Sequence, residues 1–496
     1  MTTNNQDDKS ALVAQKDTED LSPLQELLHT WPKEKGEPEK PIISLYTYEE
    51  KVLTFASITD HKMNCRIAPS DNEDTEKIMY EVDCGMHKLR SVFAVLPFGE
   101  IAVGRKFEDR VQIALCPNFM SNYISRARLT IYCGPKAEYN HEINTFVHDS
   151  YRARDCDDVS TYDYSVGNRE ELINWSTVLK TPDPLLMPLN FFMNAGYPSS
   201  IPLHLYKKHN SIQITVFLQR DITRYIQMRM KNSDGVWIKI PQQEIDLSFL
   251  RISKPSFPLP QLWGRYSTLN EFEIADEAKN GYSIVITDYE HLIDQNITGK
   301  LITTIPRELS CVRGLRYAFL NNKATLFNYH SNYSSDHNDR TKGHNPEQYH
   351  SLTCGELERI PKRESIHSSL VPALYSFRST CGEKRFFNDL VWDHYPYASG
   401  VDSSILPRVN KFTLILRDNQ SEGSNMLIND KKEYKIPISD IEAEKRIDRL
   451  LKRIKNNYTK GGFLDDSPSS SFVFKAYCRV TKRITFSEGN IVVENE

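Results

Sequence analysis

The chain has 496 residues, enough for about three domains of ~150 residues or two all-β domains of ~200–250. Its 25 Pro, 25 Tyr and 22 Phe, set among short apolar runs rich in β-branched and aromatic residues, suit half-buried strands and favour two domains. Charged residues at 26 % and a net charge of −4 exclude a collagen, a coiled coil and a wholly disordered chain, and supply no global positive field for nucleic acid.

No apolar run reaches the ~20 residues that span a bilayer. The chain begins at Met1 with polar and acidic residues rather than the basic and apolar regions of a signal peptide, so synthesis in the cytosol is expected. Its 9 cysteines are scattered and never form a C-x-x-C pair, which argues for reduced thiols over a zinc ribbon or a disulfide framework.

Residues 1–40 are too polar to bury a core, yet Ser22-Pro23-Leu24-Gln25 is a capping box with Pro at the first helical position. Leu24, Leu27, Leu28 and Trp31 follow at helical spacing, predicting a short amphipathic helix on an N-terminal arm. From about residue 41 short strands alternate with turns: Ile42–Tyr46, Ser91–Leu96, Leu129–Cys133, Ser211–Phe217, Gly281–Ile286 and Lys411–Leu416. Many short strands without a repeating βαβ unit read as sandwiches or jelly rolls. Polar stretches near 134–185, 321–366 and 417–470 interrupt them as long connections of the kind that carry outward surfaces. The third predicts a helix: Ser439-Asp440-Ile441-Glu442 caps it, Ile447, Leu450, Leu451 and Ile454 form its apolar stripe, and bases crowd the remainder.

Enzyme motifs fall short. Gly99–Lys106 approaches a phosphate-binding loop, but Arg105 and Lys106 stand where Lys and Ser or Thr are required, so a strand and turn is expected. His330, His337, His344 and His350 lie in a polar stretch that offers no converging ligand set. No catalytic residue, metal or cofactor is expected.

The most specific stretch is Leu186-Met187-Pro188-Leu189-Asn190-Phe191-Phe192, followed by Ser200-Ile201-Pro202-Leu203 and an alternating strand from Ile212. By itself this is a strand pair with rigid entries, because Pro fixes φ and cannot donate in a central ladder. The segment resembles the signature of the double-jelly-roll major capsid proteins of large eukaryotic DNA viruses. Gln261–Leu269, containing Trp263 and Tyr266, with Tyr289–Gln295, containing Leu292 and Ile293, is similar to that family's junction between its two jelly rolls. Gly314–Phe319 resembles a core strand of the second roll, Pro372–Phe377, with Tyr375 and Phe377, resembles the strand after it, and Phe474–Val480 and Gly489–Val493 resemble the last two. Asn190, Phe272 and Ala398 depart from the pattern, as in a divergent relative.

The resemblance implies an all-β fold of two tandem eight-stranded jelly rolls, a double jelly roll with long inserted loops. Residues 1–40 would be the arm, 41–275 the first roll, and 285–496 the second, with a loop and helix insertion at about 417–470. Phe191, Phe192, Trp263, Tyr266, Tyr375 and Phe377 are expected to pack between sheets, and Leu24, Leu27, Leu28 and Trp31 to make arm contacts. The implied role is structural: a homotrimer, pseudo-hexagonal in outline, tiling an icosahedral shell in the virion after assembly in host cytoplasm or nucleus. Its partners would be copies of itself, minor capsid proteins and an internal membrane or its proteins, without sequence-specific nucleic-acid binding. A transient assembly scaffold of the poxvirus type, a minor capsid protein and a glycan-cleaving double-jelly-roll hydrolase are the alternatives.

Overall fold

The computed structural model describes residues 57–67, 76–195, 199–206, 210–252, 257–297, 300–304, 312–354, 357–376, 382–391, 410–416, 441–454, 472–487 and 489–495. The chain divides into Met1–Lys51 and Val52–Glu496, and every described residue belongs to the second unit. The arm residues Leu24, Leu27, Leu28 and Trp31, and the strand expected at Ile42–Tyr46, lie outside the described residues.

Sixteen strands build the framework. The first eight are β1 (Ser57–Lys62), β2 (Glu76–Glu81), β3 (Lys88–Leu96), β4 (Ile124–Cys133), β5 (Lys136–Asn144), β6 (Leu185–Pro188), β7 (Ser211–Leu218) and β8 (Gln261–Thr268). They form two antiparallel sheets in the orders β1-β8-β3-β6 and β2-β7-β4-β5. The second eight are β9 (Tyr282–Ile297), β10 (Lys300–Thr304), β11 (Val312–Asn321), β12 (Glu347–Cys354), β13 (Leu357–Glu364), β14 (Phe387–Val391), β15 (Asn410–Leu416) and β16 (Phe472–Ser487). Their sheets run β9-β16-β11-β14 and β10-β15-β12-β13. Adding eight to each label converts one set into the other. Each set is a jelly roll, and the chain holds two in tandem. Among the described residues, no ladder joins a strand of the first roll to one of the second.

Alternation explains why these residues make sandwiches. In β7, Ile212, Ile214 and Val216 are buried; in β3, Val92, Ala94 and Leu96 are buried while Ser91, Phe93 and Val95 face the other way. The second roll has its own core, in which Leu315, Tyr317 and Phe319 of β11 meet Phe412 and Leu414 of β15 and Phe474 of β16. The first core is larger, and it also takes in Ile284, Ile286, Ala318, Phe387, Tyr477 and Phe486 from the second roll. The two rolls thus share an apolar seam.

Long connections recur at matching places, after β3, β5 and β7 and again after β11, β13 and β15. The connection after β5 carries α1 (Thr145–Ser150), an irregular turn at Tyr151–Asp155, and α2 (Val159–Val166). Helix α3 (Glu271–Asn280) joins the rolls and opens with a capping box between Asn270 and Glu273. Helix α4 (Ile366–Ser376) follows β13, and α5 (Ile441–Ile454) lies between β15 and β16. Helix α5 matches the sequence expectation: Ile447, Leu450, Leu451 and Ile454 are buried.

Two expectations are corrected. Pro372–Ser376, read as a strand, belongs to α4; the strand of that roll is β14, and α4 lies over it. A short apolar run fits either element, and here a turn anchored by Ser365, whose carbonyl accepts from Ser368 and Ser369, starts a helix. Trp263 does not pack between the sheets. Period two sets it opposite Leu262 and Gly264, and it stands partly buried on the outward face of β8. The inward slot beside it is already full: a Cβ on Gly264 would meet the Tyr266 ring at 2.7 Å and the Met63 methyl at 2.8 Å.

Candidate functional site

The seam between the rolls is where charged chemistry concentrates. Asn144 closes β5 and caps α1, accepting from the Val147 amide at 3.1 Å. That start directs Phe146 onto the second roll, where it stacks on Tyr477 with centroids 4.9 Å apart and planes 11° from parallel. Tyr477 alternates with the core residues Ala476 and Cys478, so it stands on the outward face of the sheet β9-β16-β11-β14.

Beside this stack lies a buried ionic lattice. Arg316 of β11 donates to Asp389 of β14 at 2.7 Å and, across the seam, to Asp155 at 2.5 Å. Arg154 of the first roll donates to the Ser369 carbonyl at 2.8 Å and to the Phe387 carbonyl, and its Nε is 3.6 Å from Asp389. Burial pushes the Asp389 carboxyl up, but Arg316 and Arg154 outweigh it and hold the group at about 2. Arg152 pairs with Asp163 and reaches Glu383 of the second roll at 3.0 Å, and Glu383 also meets Arg340 at 3.2 Å. Asp149 accepts from Asn118 at 2.9 Å and from Tyr333 of the second roll at 3.0 Å; its burial raises the carboxyl.

A second cluster joins β5 to β9 and β16. Tyr139 donates to Asp288 at 2.9 Å, Lys482 donates to Asp288 at 2.8 Å and to Glu290 at 2.6 Å, and His141 Nε2 stands 3.5 Å from Asp288. Burial pushes the Asp288 carboxyl up, while His141 and Lys482 bring it below its ordinary value. A third cluster clamps α3: Lys88 Nζ is 2.6 Å from Glu277, and His204 is 3.2 Å from the same carboxylate. Helix α5 ties back to the first roll through Arg110–Asp448 at 2.8 Å and Arg446–Asp246 at 2.6 Å.

Such pairs resist separation, because removing one member of a buried pair leaves the other charge unpaired at a cost of about 3–5 kcal/mol. The arrangement therefore fixes one roll against the other. Among the described residues, no group of three His, Cys, Asp or Glu is arranged to hold a metal ion. His350 pairs with buried Glu347 at 2.6 Å, and His330 hydrogen-bonds the Arg224 carbonyl at 2.8 Å.

The signature residues divide between the seam and the sheets. Phe191 and Phe192 are buried, their rings 5.7 and 5.6 Å from His141, so they support the second cluster from below. Pro202 and Leu203 are buried beside β3, Pro202 paired with Lys88. Tyr266 is buried with its ring edge-on to His61, and Leu292 and Ile293 lie at a bulge of β9 against the second core. Pro188 and Trp263 both pair with Phe93, on the outward face. Tyr375 falls in α4, and Phe377 lies outside the described residues. The seam charges were not anticipated from the sequence, because Arg316 and Asp389 take the outward positions of their strands, beside the inward Leu315 and Leu390, where a polar residue is the ordinary expectation.

No family model matches the chain, and no curated protein matches it in sequence. Solved structures do. PBCV-1 VP54, as fitted into a reconstruction of the virophage Sputnik, is 12 % identical with a TM-score of 0.56, covering 91 % of this chain and 100 % of its own. The quasi-atomic PBCV-1 virus capsid gives 10 % identity, a TM-score of 0.56 and the same coverage, 91 % and 100 %. The Faustovirus major capsid protein gives 9 % identity and a TM-score of 0.57 over 96 % of both chains. At these identities the likeness is one of fold, and it agrees with the strand order: the chain is a double jelly roll of the kind found in the PBCV-1 and Faustovirus capsid proteins.

Proposed function

We propose that this protein is a structural capsid subunit that assembles as a homotrimer and tiles an icosahedral shell. The observation that carries the reading is the repeat: one eight-strand order occurs twice in one chain, and the two copies are locked by a buried seam. Three chains then present six similar blocks around a threefold axis, so one subunit meets its neighbours through nearly equivalent sides. The division at 41–275 and 285–496, with residues 1–40 as an arm, belongs to this reading. The long connections after β3, β5 and β7 and their counterparts would crown the outer surface. The opposite ends and the arm would meet minor capsid proteins or an internal membrane.

The role is mechanical rather than catalytic, and the carboxylates of the seam serve as ion-pair partners. The subunit would reside in the virion, with its genome contacts left to other proteins. Negative-stain images of the purified protein test this. The reading expects blocks of roughly hexagonal outline with threefold symmetry, and particles of single-chain size at every concentration would refute it.

A further inference from the structure

Helix α5 uses only part of its charge to hold itself in place. Its apolar residues Ile447, Leu450, Leu451 and Ile454 enter the first core. On one flank Arg446 meets Asp246 at 2.6 Å and Arg453 pairs with Glu244, and on the other Asp448 meets Arg110 at 2.8 Å. At about 100° per residue, Lys445, Arg449 and Lys452 fall within one sector opposite the buried stripe. All three are exposed. Among the described residues none of them forms an ion pair; the Arg449 Nε donates to the Lys445 carbonyl of its own helix at 3.1 Å.

This crest is a row of like charges at i, i+4 and i+7, about 10 Å long at ~1.5 Å per residue. Over Lys445–Ile454 the one acid, Asp448, lies on a flank and is engaged with Arg110. Like charges four and three residues apart repel along a helix, and the fold gains nothing from that repulsion, because α5 is anchored by its other sides. The place of the helix is informative as well. Glu244 and Asp246 lie in the connection after β7 and Arg110 in the connection after β3, so the crest stands at the end of the rolls where long connections gather. With a net charge of −4 over the whole chain, any attraction for an anion is local to the crest.

We propose that the crest of α5 is a binding site for a linear sulfated polysaccharide, which gives the subunit an attachment surface in addition to its part in a shell. Three cations within about 10 Å call for a chain whose anionic groups are closely spaced, as sulfate esters make them. Arg449 presents two N–H groups to one sulfate, and the two lysines act as point charges toward its neighbours. Other polyanions fit less well. Lys445–Ile454 has no aromatic side chain on which a base could stack, and its apolar residues are buried rather than available for insertion into an anionic bilayer. The outward placing of the crest rests on the capsid reading, whereas the binding itself needs only the folded chain.

The test uses full-length protein and a fluorescently labelled heparin oligosaccharide, with binding followed by anisotropy. Wild type is expected to bind it with an affinity that falls as salt rises, and to ignore a desulfated chain of the same length. Lys445→Ala and Lys452→Ala should each weaken binding about fivefold, and the triple variant with Arg449→Ala on the order of a hundredfold. Lys136→Ala, at an exposed base that starts β5, should bind as wild type does. Alanine favours a helix and removes the repulsion, so the triple variant should melt no lower than wild type, which checks that it is folded. No binding by wild type, equal binding by the triple variant, or equal binding of the desulfated chain would overturn the proposal. Tighter binding of single-stranded DNA or of phosphatidylserine vesicles would overturn it too, and would assign the crest to nucleic acid or to a membrane. Mass in solution keeps the two readings apart: a trimer that fails to bind sinks only the crest, and a chain that binds but stays monomeric sinks only the shell.

Discussion

Replacing Arg316 by Met keeps most of the volume of the side chain and removes the cation that bridges the rolls. Asp155 is about a quarter exposed and loses little, but Asp389 has only 8 % of its side chain exposed and is left with Arg154, at 3.6 Å, and the weaker field of Arg479. Leaving that carboxylate half-compensated should cost about 3–5 kcal/mol. If the two rolls unfold together, an unfolding entropy of ~2.1 cal/mol/K per residue over about 445 residues turns this into a fall of roughly 3–5 °C in Tm. If the second roll unfolds alone, with about half the residues, the fall should be roughly twice as large. Calorimetry separates the two, because independent unfolding also splits the transition.

The pH dependence adds a signed check on the same variant. The Asp389 carboxyl is held at about 2, below its ordinary 3.8, so its contribution is complete above the unfolded value and is lost as pH falls from 3.8 through about 2. The shift corresponds to about 2 kcal/mol. The gap in stability between wild type and Arg316→Met should therefore be constant near neutrality and narrow as pH drops below 4. A Tm change under about 1 °C at pH 7, or a gap that widens in acid, would refute the reasoning.

Other outcomes follow from the same geometry. His148 is fully buried and burial pushes its imidazole down to about 3, so the unfolded chain takes up a proton below pH 6.5 that the native state refuses. Stability should fall by about 1.4 kcal/mol per pH unit between 6.5 and 3 on this account, and His148→Phe should remove that one-proton slope in acid titrations followed by urea unfolding. Gly264→Ala places a methyl 2.7 Å from the Tyr266 ring and should destabilise by about 1–3 kcal/mol in denaturant melts. Leu450→Ala empties a buried position of α5 and should cost about 2–4 kcal/mol, with trypsin cutting at the bases of that helix at lower enzyme concentrations than in wild type.

What could be read from the sequence was whatever alternates or repeats locally. Helix α5 announced itself because a capping box, an apolar stripe and terminal bases all agree over one stretch. Strands β8, β11 and β16 were legible because their inward residues recur at period two. Helix α4 was misread because Val371-Pro372-Ala373-Leu374-Tyr375 is a short apolar run with a proline, and its helical state is set by its place over β14 rather than by propensity. Trp263 was misplaced by treating a conspicuous aromatic as a core residue, when parity with Leu262 and the crowding at Gly264 turn it outward.

The seam was the least legible part. Arg154 and Asp389 are separated by 235 residues, and Tyr139 meets Asp288 across 149. No local pattern encodes such pairings; they arise only when two folded sheets are brought face to face. A buried charge within an alternating strand is the trace they leave, as at Arg316 and Asp389, and it marks the outward face of a sheet that is covered by something else.

The central claim concerns assembly, and mass in solution tests it most directly. Light scattering on the purified full-length protein across a wide concentration range should give a species of about 172 kDa, three copies of the 57.4 kDa chain. A mass that stays at that of one chain at the highest concentrations would contradict the account.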